Sequence, residues 1–189
     1  VVGGNYRFVG TEPDSLDPNV ASSTNALSAL GYTYDNLLRY TPGTNGQNGP
    51  IVGGAAESFE FSPDGLTLIL KLRRGLKFDP RPPTSGRELV ASDVRLSFER
   101  TVASSPYAGD WYHGKNPASP VESISTPDEH TVLVKTAYPY LSLLNVLAHH
   151  TYLYVVPKEV DGGFNSKSET RGSGPYFLER WNPSVGLEY

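Results

Sequence analysis

Residues 55–78 read AAESFEFSPDGLTLILKLRRGLKF, and they contain a β-hairpin pattern. In the second half of this stretch, Leu68, Leu70 and Leu72 alternate with other residues, which predicts a strand with one buried face. The sequence Ser-Pro-Asp-Gly at 62–65 separates this strand from the one before it. Proline presets φ and glycine tolerates a positive φ in such a turn, so the stretch is predicted to fold as two antiparallel strands.

The second strand runs into a basic segment in which Arg73, Arg74 and Lys77 surround Gly75. A segment of this kind can hold a phosphate, bind nucleic acid or simply form a turn. The whole chain has 16 Lys and Arg against 20 Asp and Glu, which gives a net charge of -4. Because nucleic-acid binding requires a cationic surface, nucleic acid is not expected as a partner.

Other short runs of apolar residues predict further strands. A second hairpin is expected from residues 121–125 and 131–135, joined by the turn-forming residues between them. Single strands are predicted at 6–9, 152–156 and 175–178.

Three segments show the spacing of apolar residues that is typical of helices. The first buries positions 27, 30, 34 and 37, and Ser22, Ser23 or Thr24 is expected to cap it. The second covers residues 93–102, with Ser92 as its cap. The third begins after Pro139 and is expected to bury Leu141, Leu144 and Leu147. Together these elements predict an α+β fold with a mixed sheet, short hairpins and about three helices.

The residues needed for catalysis or for a cofactor do not form a workable set. Cysteine is absent, which removes disulfides, thiol catalysis and Cys–zinc sites. The sequence Gly-Ser-Gly at 172–174 lacks the third glycine and the helix of a dinucleotide motif, so an ordinary turn is predicted there. His149 and His150 are adjacent, and adjacent side chains on a helix point about 100° apart, so they are not expected to chelate one ion. We therefore predict no cofactor and no metal.

Three carboxylates, Glu12, Asp14 and Asp17, precede the first predicted helix. A hydrolase can use a pair of carboxylates, but sequence spacing does not establish the separation that this chemistry requires. Turn formation beside the neighbouring prolines is the favoured interpretation. We expect that the protein is not an enzyme. A carboxylate-dependent hydrolase is the alternative from a different functional class. A self-contained binding or adhesion module is a further alternative, which requires a complete core within this chain.

The order of the motifs along the chain resembles family 5 of the extracellular solute-binding proteins, the oligopeptide, dipeptide and nickel-type receptors of ABC importers. The resemblance extends from residue 3 to residue 189, and residues 55–78 are its most diagnostic part. The motifs, in order, are PDSLDP at 13–18, YDNLLRY at 34–40, residues 55–78 themselves, ASDVRLSFER at 91–100, SPYA at 105–108, VESISTPDEHTVLVKTAYPY at 121–140, VVPKEV at 155–160 and GSGPYFLERW at 172–181.

The chain departs from the family pattern at three places. A proline-rich loop at 79–88 replaces the usual His-Asp-Gly-Thr-Pro turn, and Phe59 stands where the family favours tryptophan. Family members also continue through a second lobe beyond the point that corresponds to Tyr189. The resemblance therefore implies much of lobe one of a type II periplasmic-binding-protein-like fold, without the second lobe.

The resemblance also implies a division of lobe one. Residues 1–37 and 156–189 would form its core part, and residues 38–155 would form an inserted subdomain. The basic segment around Gly75 would belong to the scaffold, with its cations exposed at a strand end.

The function implied by the resemblance is the capture of a peptide or similar small solute between two lobes and its delivery to an ABC permease in the membrane. The receptor would be extracytoplasmic, either periplasmic or lipid-anchored, with its signal segment not present in this chain. Other cargoes, such as a nickel chelate or an oligosaccharide, remain alternatives. Self-association of the chain through exposed strand edges is a further expectation. The implied ligand-binding residues are Asn19, Val20, Ala21, Ser22, Ser23, Thr24, Tyr107 and His150.

Overall fold

The structure is a computed structural model that describes residues 12–44 and 46–189. The strand predicted at 6–9 lies outside the described residues. The helices are α1 (Thr24–Leu30), α2 (Ala91–Ser104) and α3 (Leu143–Ala148), with 3₁₀ turns at Ala108–Asp110 and Lys158–Val160. The strands are β1 (Leu38–Pro42), β2 (Asn48–Gly53), β3 (Ala56–Phe61), β4 (Thr67–Leu72), β5 (Val121–Asp128), β6 (Thr131–Thr136), β7 (Arg180–Asn182) and β8 (Gly186–Glu188).

A four-stranded sheet with the order β3-β4-β6-β5 forms the scaffold. Its two outer pairs are the two predicted hairpins, and both are confirmed. The hairpins meet where Leu70 of β4 lies opposite Val132 of β6. The α+β fold class is confirmed, but the named strands of the described residues pair antiparallel, where a mixed sheet was predicted. Short connections reverse the chain within each hairpin, so its two strands are antiparallel, and β4 and β6, which bring the two hairpins together, also pair antiparallel.

Helix α1 is shorter than its apolar spacing predicted. Ser23 caps it, because its hydroxyl accepts a hydrogen bond from the backbone N–H of Ala26 at 3.1 Å. The helix ends at Leu30, while Tyr34 and Leu37 are buried but lie beyond it.

Helix α2 begins at Ala91, so the predicted cap, Ser92, lies inside it. The carboxylate of Asp93 accepts from the backbone N–H of Val90 at 3.1 Å and satisfies the helix start instead.

Helix α3 presents a different face from the predicted one. Leu143 and Leu147 are buried, whereas Leu141 is 74% exposed and Leu144 is half-buried. The helix begins at Leu143, and this later start changes which positions face the core. The prediction of a buried Leu141 was therefore wrong.

Two predicted strands do not form. In residues 152–156, Tyr154 makes a single bridge to Asn36. In residues 175–178, the backbone N–H of Tyr176 donates to the carbonyl of Tyr32 at 3.1 Å, and β7 begins later. Both segments lack a neighbouring strand long enough to complete a ladder.

The buried apolar side chains form two clusters. The first lies against the four-stranded sheet and is drawn from residues 37–155, and the second surrounds α1 and is drawn from residues 16–34 and 154–178. Helix α2 contributes to both, since Phe98 belongs to the first cluster and Leu96 packs against the second.

The basic segment after β4 forms a turn. Gly75 has a φ of 73°, which favours glycine, and its backbone N–H donates to Glu88 Oε1 at 2.6 Å. Arg73 Nε donates to the carbonyl of Gly54 at 2.9 Å, and Lys77 makes a single bridge to Glu88. These contacts account for Arg73 and Lys77 as parts of the scaffold.

The proline-rich loop at 79–88 packs against the chain near residue 178. Arg81 pairs with Asp79 and donates through Nη1 to the carbonyl of Leu178 at 2.9 Å. From the other side, Arg171 Nε donates to the carbonyl of Pro82 at 2.8 Å. The loop therefore connects the sheet scaffold to the last part of the chain.

Within the described residues, no helix has the length and apolar character needed to cross a membrane.

Candidate ligand-binding surface

The loop that enters α1 carries an exposed row of hydroxyl groups. Ser22 and Thr24 are exposed, and Ser23 and Val20 are half-buried. The Asp14 carboxylate accepts from the Ser22 backbone N–H at 2.8 Å and from Ser22 Oγ at 2.6 Å. It also accepts from the Ser23 backbone N–H at 3.4 Å.

These hydrogen bonds determine the charge state of Asp14. Partial burial alone would raise the pKa of its carboxyl, but the bonds from Ser22 and Ser23 outweigh burial, and the pKa lies below its ordinary value. Asp14 is therefore ionised at neutral pH.

Two of the residues predicted from the resemblance face the interior. Asn19 is 1% exposed, and its amide nitrogen donates to Thr101 Oγ1 at 2.8 Å. Its amide oxygen accepts from Arg100 Nε at 3.1 Å. Ala21 is also 1% exposed. The inward positions of Asn19 and Ala21 narrow the exposed part of the loop to residues 20 and 22–24.

Tyr107 comes from the loop after α2 and lies against this row. Its ring is half-buried at the edge of the second cluster, and its hydroxyl donates to the backbone carbonyl of Ser22. The structure therefore brings Tyr107 and Ser22 together, although 85 positions separate them in the chain.

His150 meets the same surface through Ser28, one turn further along α1. The distance between Ser28 Oγ and His150 Nε2 is 3.4 Å. Because the Ser28 hydroxyl donates its hydrogen to the carbonyl of Thr24 at 2.8 Å, we assign Nε2–H of His150 as the donor to Ser28. Hereafter the candidate ligand surface denotes the set Ser22, Ser23, Thr24, Ser28, Tyr107 and His150.

The rings of His149 and His150 are stacked, with their centroids 4.3 Å apart. His149 Nδ1 accepts from the backbone N–H of Thr151 at 3.3 Å, which requires that this nitrogen carry no proton. Burial lowers the pKa of both rings, and repulsion from His149 lowers the pKa of His150 further. The pair lies at the end of α3, where the predicted divergence of adjacent helical side chains does not apply.

The three acidic residues near the start have different surroundings. Asp17 is buried, pairs with Arg100 at 2.7 Å and accepts from Ser166 Oγ at 2.9 Å. Glu12 is exposed and accepts from the backbone N–H of Ser184 at 3.2 Å. Asp14 accepts hydrogen bonds from Ser22 and Ser23. Asp17 also accepts from the backbone N–H of Asn19 at 3.0 Å, a local contact of the kind that the turn interpretation predicts, whereas the contacts of Asp14 and Glu12 reach residues eight or more positions away.

Metal ligation has no support in the part of the chain that the structure describes. No group of three or more His, Asp or Glu side chains in residues 12–44 and 46–189 could hold an ion.

Sequence reasoning missed Ser28, although a usable signal was present. Ser28 lies four residues after Thr24, so the two share one face of α1. It also missed the tyrosines around α1: the Tyr189 hydroxyl donates to the carbonyl of Ala29 at 3.0 Å, and the Tyr189 ring is 5.3 Å from that of Tyr32. No periodic pattern marks tyrosines that come from separate loops.

The sequence and fold agree with a family of binding proteins. Residues 50–189 match the family described as "Bacterial extracellular solute-binding proteins, family 5 Middle". The chain belongs to this family.

Among curated proteins, the chain is 29% identical over 188 residues to the probable D,D-dipeptide-binding periplasmic protein DdpA of Escherichia coli K12. This match covers 93% of this chain and 33% of that protein. It is 28% identical over 175 residues to the glutathione-binding protein GsiB of Salmonella choleraesuis, with 92% and 31% covered.

Among solved structures, the chain is similar to the periplasmic binding protein DppA of Helicobacter pylori in complex with the peptide STSA. The TM-score is 0.76 at 25% identity, and the match covers 94% of this chain and 37% of that one. The chain thus spans about a third of the length of the curated relatives it matches. The similarity supports the prediction of a periplasmic-binding-protein-like fold.

Proposed function

We propose that this chain forms one wall of the ligand site in a peptide-binding receptor of an ABC importer. The observation that carries the proposal is the candidate ligand surface. An exposed row of hydroxyl groups begins at Ser22, and Tyr107 and His150 reach it from distant parts of the sequence. Ligand sites commonly combine a few fixed polar groups with aromatic rings, as this surface does.

Peptides are the favoured ligand class. The surface offers hydroxyl oxygens, a phenol ring and an imidazole, which suit the N–H and C=O groups of a peptide backbone. The names of the relatives specify a D,D-dipeptide, glutathione and the peptide STSA as the molecules that those proteins bind.

The proposed role is binding without catalysis. Asp14, Asp17 and Glu12 accept hydrogen bonds from separate partners, and Asp17 is buried with Arg100. A hydrolase needs two carboxylates that face one reactive position, and the separate partners of these three carboxylates support a role in binding. The matched relatives are described as solute-binding proteins.

The remaining parts of the proposal concern location and organisation. Relatives described as extracellular or periplasmic support an extracytoplasmic receptor, and its partner would be the permease of an ABC importer.

The two apolar clusters support a division into a core part at 1–37 and 156–189 and an inserted subdomain at 38–155, because their members follow nearly the same boundaries.

Calorimetry on the complete polypeptide encoded by the gene that contains this sequence tests the function. The probes are trialanine, glutathione, cellobiose and a nickel–histidine chelate. We expect micromolar or tighter binding of at least one of the two peptides. Binding of none of the four probes, or of cellobiose or the chelate alone, would contradict a peptide receptor.

A pair of variants locates the site. Thr24→Trp places a bulky ring on the candidate ligand surface and is expected to abolish binding. Ser125→Trp introduces the same ring at an exposed position of β5 and is expected to bind as the unchanged protein does. Equal binding by both variants would show that the ligand lies elsewhere.

A further inference from the structure

Ser22 is held from two sides by residues that lie far apart in the sequence. Asp14 accepts hydrogen bonds from its backbone N–H and its hydroxyl, at 2.8 and 2.6 Å. Tyr107 donates to its backbone carbonyl. The three polar groups of Ser22 are thus all engaged with other residues, although Ser22 itself is exposed.

These contacts are not explained by burial. An exposed peptide group can bond to water at little cost, so protein partners add only a modest amount to folding stability. Ordering the side chains of Asp14 and Tyr107, in contrast, carries an entropic cost. Holding an exposed loop in one conformation does benefit binding, because the ordering no longer has to occur when a ligand arrives.

The direction of each hydrogen bond fixes what Ser22 can offer. A serine hydroxyl has one hydrogen, and in Ser22 that hydrogen points to Asp14 Oδ2. The outward lone pairs of Ser22 Oγ therefore only accept. Ser28 is in the same state, because its hydrogen points to the carbonyl of Thr24. Two hydroxyls of the candidate ligand surface are thus acceptors toward any ligand.

We propose that Asp14 and Tyr107 are positioning residues that set Ser22 as a hydrogen-bond acceptor for an N–H group of the ligand, either a backbone amide or an ammonium. The inference rests on the proposed function and specifies the ligand chemistry at that site. Tyr107 then acts through Ser22, and its hydroxyl is not available to the ligand as a hydrogen-bond donor. The negative charge of Asp14 behind Ser22 further favours a donor over a carboxylate.

The binding test uses the complete polypeptide and four probes: trialanine, its N-acetyl derivative, and trialanine N-methylated at the second or at the third residue. We expect at least one modified probe to bind the unchanged protein about tenfold more weakly than trialanine does, as the loss of one hydrogen bond implies. In Ser22→Ala the difference in affinity between trialanine and that probe should disappear, because the hydroxyl oxygen that accepts the hydrogen bond has been removed. Ser22→Thr keeps a hydroxyl and should restore it.

The positioning residues are tested with matched changes. Asp14→Ala and Tyr107→Phe are each expected to weaken trialanine binding about tenfold, while Asp14→Asn, which keeps one acceptor oxygen, should recover most of the affinity. The control is Asp64→Ala. Asp64 also accepts from a serine hydroxyl, at 2.6 Å, and from a backbone N–H, at 3.0 Å, but it lies in the β3–β4 turn outside the candidate ligand surface.

Hydrogen exchange without ligand separates the inference from the function. In Asp14→Ala and Tyr107→Phe we expect the amide of Ser22 to exchange faster, while the amide of Leu70 in the central strand keeps its protection. Unchanged exchange at Ser22 in both variants overturns the inference. The inference is also overturned if Ser22→Ala still binds trialanine more tightly than the modified probe, even where the protein does bind peptides. Absence of peptide binding by the unchanged protein overturns the proposed function, and with it the ligand chemistry assigned to Ser22.

Discussion

The guanidinium of Arg87 binds the carboxylate of Asp93 through two hydrogen bonds of 2.8 and 2.7 Å. Asp93 is 0% exposed, and the backbone N–H of Lys158 donates to the same carboxylate at 3.0 Å. Arg87 also binds Glu159 at 2.8 and 2.7 Å, and its guanidinium carbon lies 4.9 Å from the ring centre of Phe78. One arginine thus connects the proline-rich loop, the start of α2 and the chain after residue 156.

The first prediction concerns this arginine. Arg87→Ala is expected to lower the free energy of unfolding by about 3 kcal/mol or more, because it leaves the buried charge of Asp93 without its partner. Chemical denaturation followed by circular dichroism measures the change. The control is Arg95→Ala on α2, where Arg95 pairs with Glu99 at 2.8 Å and both side chains are exposed. That change should cost less than about 1 kcal/mol, and equal losses in the two variants would contradict the assigned role of Arg87.

The second prediction concerns Gly172. A Cβ atom added there would lie 1.8 Å from the carbonyl oxygen of Thr33, which is backbone and has little freedom to move. Gly172→Ala is therefore expected to lower the free energy of unfolding by about 3 kcal/mol or more. Gly109→Ala is the control, since an added Cβ there meets nothing within 4 Å. Similar melting temperatures for the two variants would show that the loop at 172–174 adapts freely.

The third prediction concerns the stacked histidines. Burial holds the pKa of His149 and of His150 below the ordinary value of 6.5, so protonation is harder in the folded state than in the unfolded state. Their contribution to stability is complete above pH 6.5 and is lost as the pH falls below it. We expect the free energy of unfolding to decrease as the pH falls below 6.5 and to decrease less in the double variant His149→Asn, His150→Gln. Nuclear magnetic resonance of the two rings checks the direction independently, and a titration midpoint above 6.5 for either ring would contradict it.

The fourth prediction concerns the 189-residue chain by itself. A ligand between two lobes makes only part of its contacts with one of them, while the cost of association stays the same. We expect the isolated chain to bind trialanine with a dissociation constant of roughly 1 mM or weaker. Saturable micromolar binding in calorimetry would show that the isolated chain is sufficient for ligand binding.

The fifth prediction concerns self-association of the same isolated chain. The side chains of Tyr32, Tyr176, Phe177 and Tyr189 are exposed, and the rings of Tyr176 and Tyr189 lie 6.1 and 5.3 Å from that of Tyr32. Strands β7 and β8 form a sheet of only two strands. Such a surface favours contact between copies. Sedimentation analysis should show concentration-dependent dimers that Tyr176→Ser with Phe177→Ser weakens. A monomer at all concentrations would contradict the prediction.

The parts of the fold that were predictable from the sequence depend on local interactions. The two hairpins follow from alternation of apolar residues and from turn residues only a few positions away, so the local sequence determines both. The start of α3 was not predictable in the same way. Whether Leu141 or Leu143 faces the core depends on how α3 packs against β1 and β2, which the spacing of leucines does not encode.

The candidate site shows the same limit. The family resemblance placed the loop at 19–24, but the burial of Asn19 depends on Arg100 and Thr101, which lie more than 80 positions away. The bond between Tyr107 and Ser22 likewise joins distant segments. Such pairings arise from tertiary packing, and no local pattern predicts them.

The central pairing of the sheet has a consequence for how this family can vary. Thr67 lies opposite Lys135, and Lys71 lies opposite Thr131, so the chain leaves β4 and returns to β6 at neighbouring points. The segment between β4 and β5 is an excursion whose two ends lie in this sheet, and the entropic cost of lengthening such a loop rises only slowly with its length. Residues 79–88, where the family resemblance leads one to expect a tight turn, lie within this excursion. The excursion can therefore grow by insertion while the strands that enclose it keep their register, although residues 79–88 make contacts through Arg81 and Arg87 that an insertion would have to preserve.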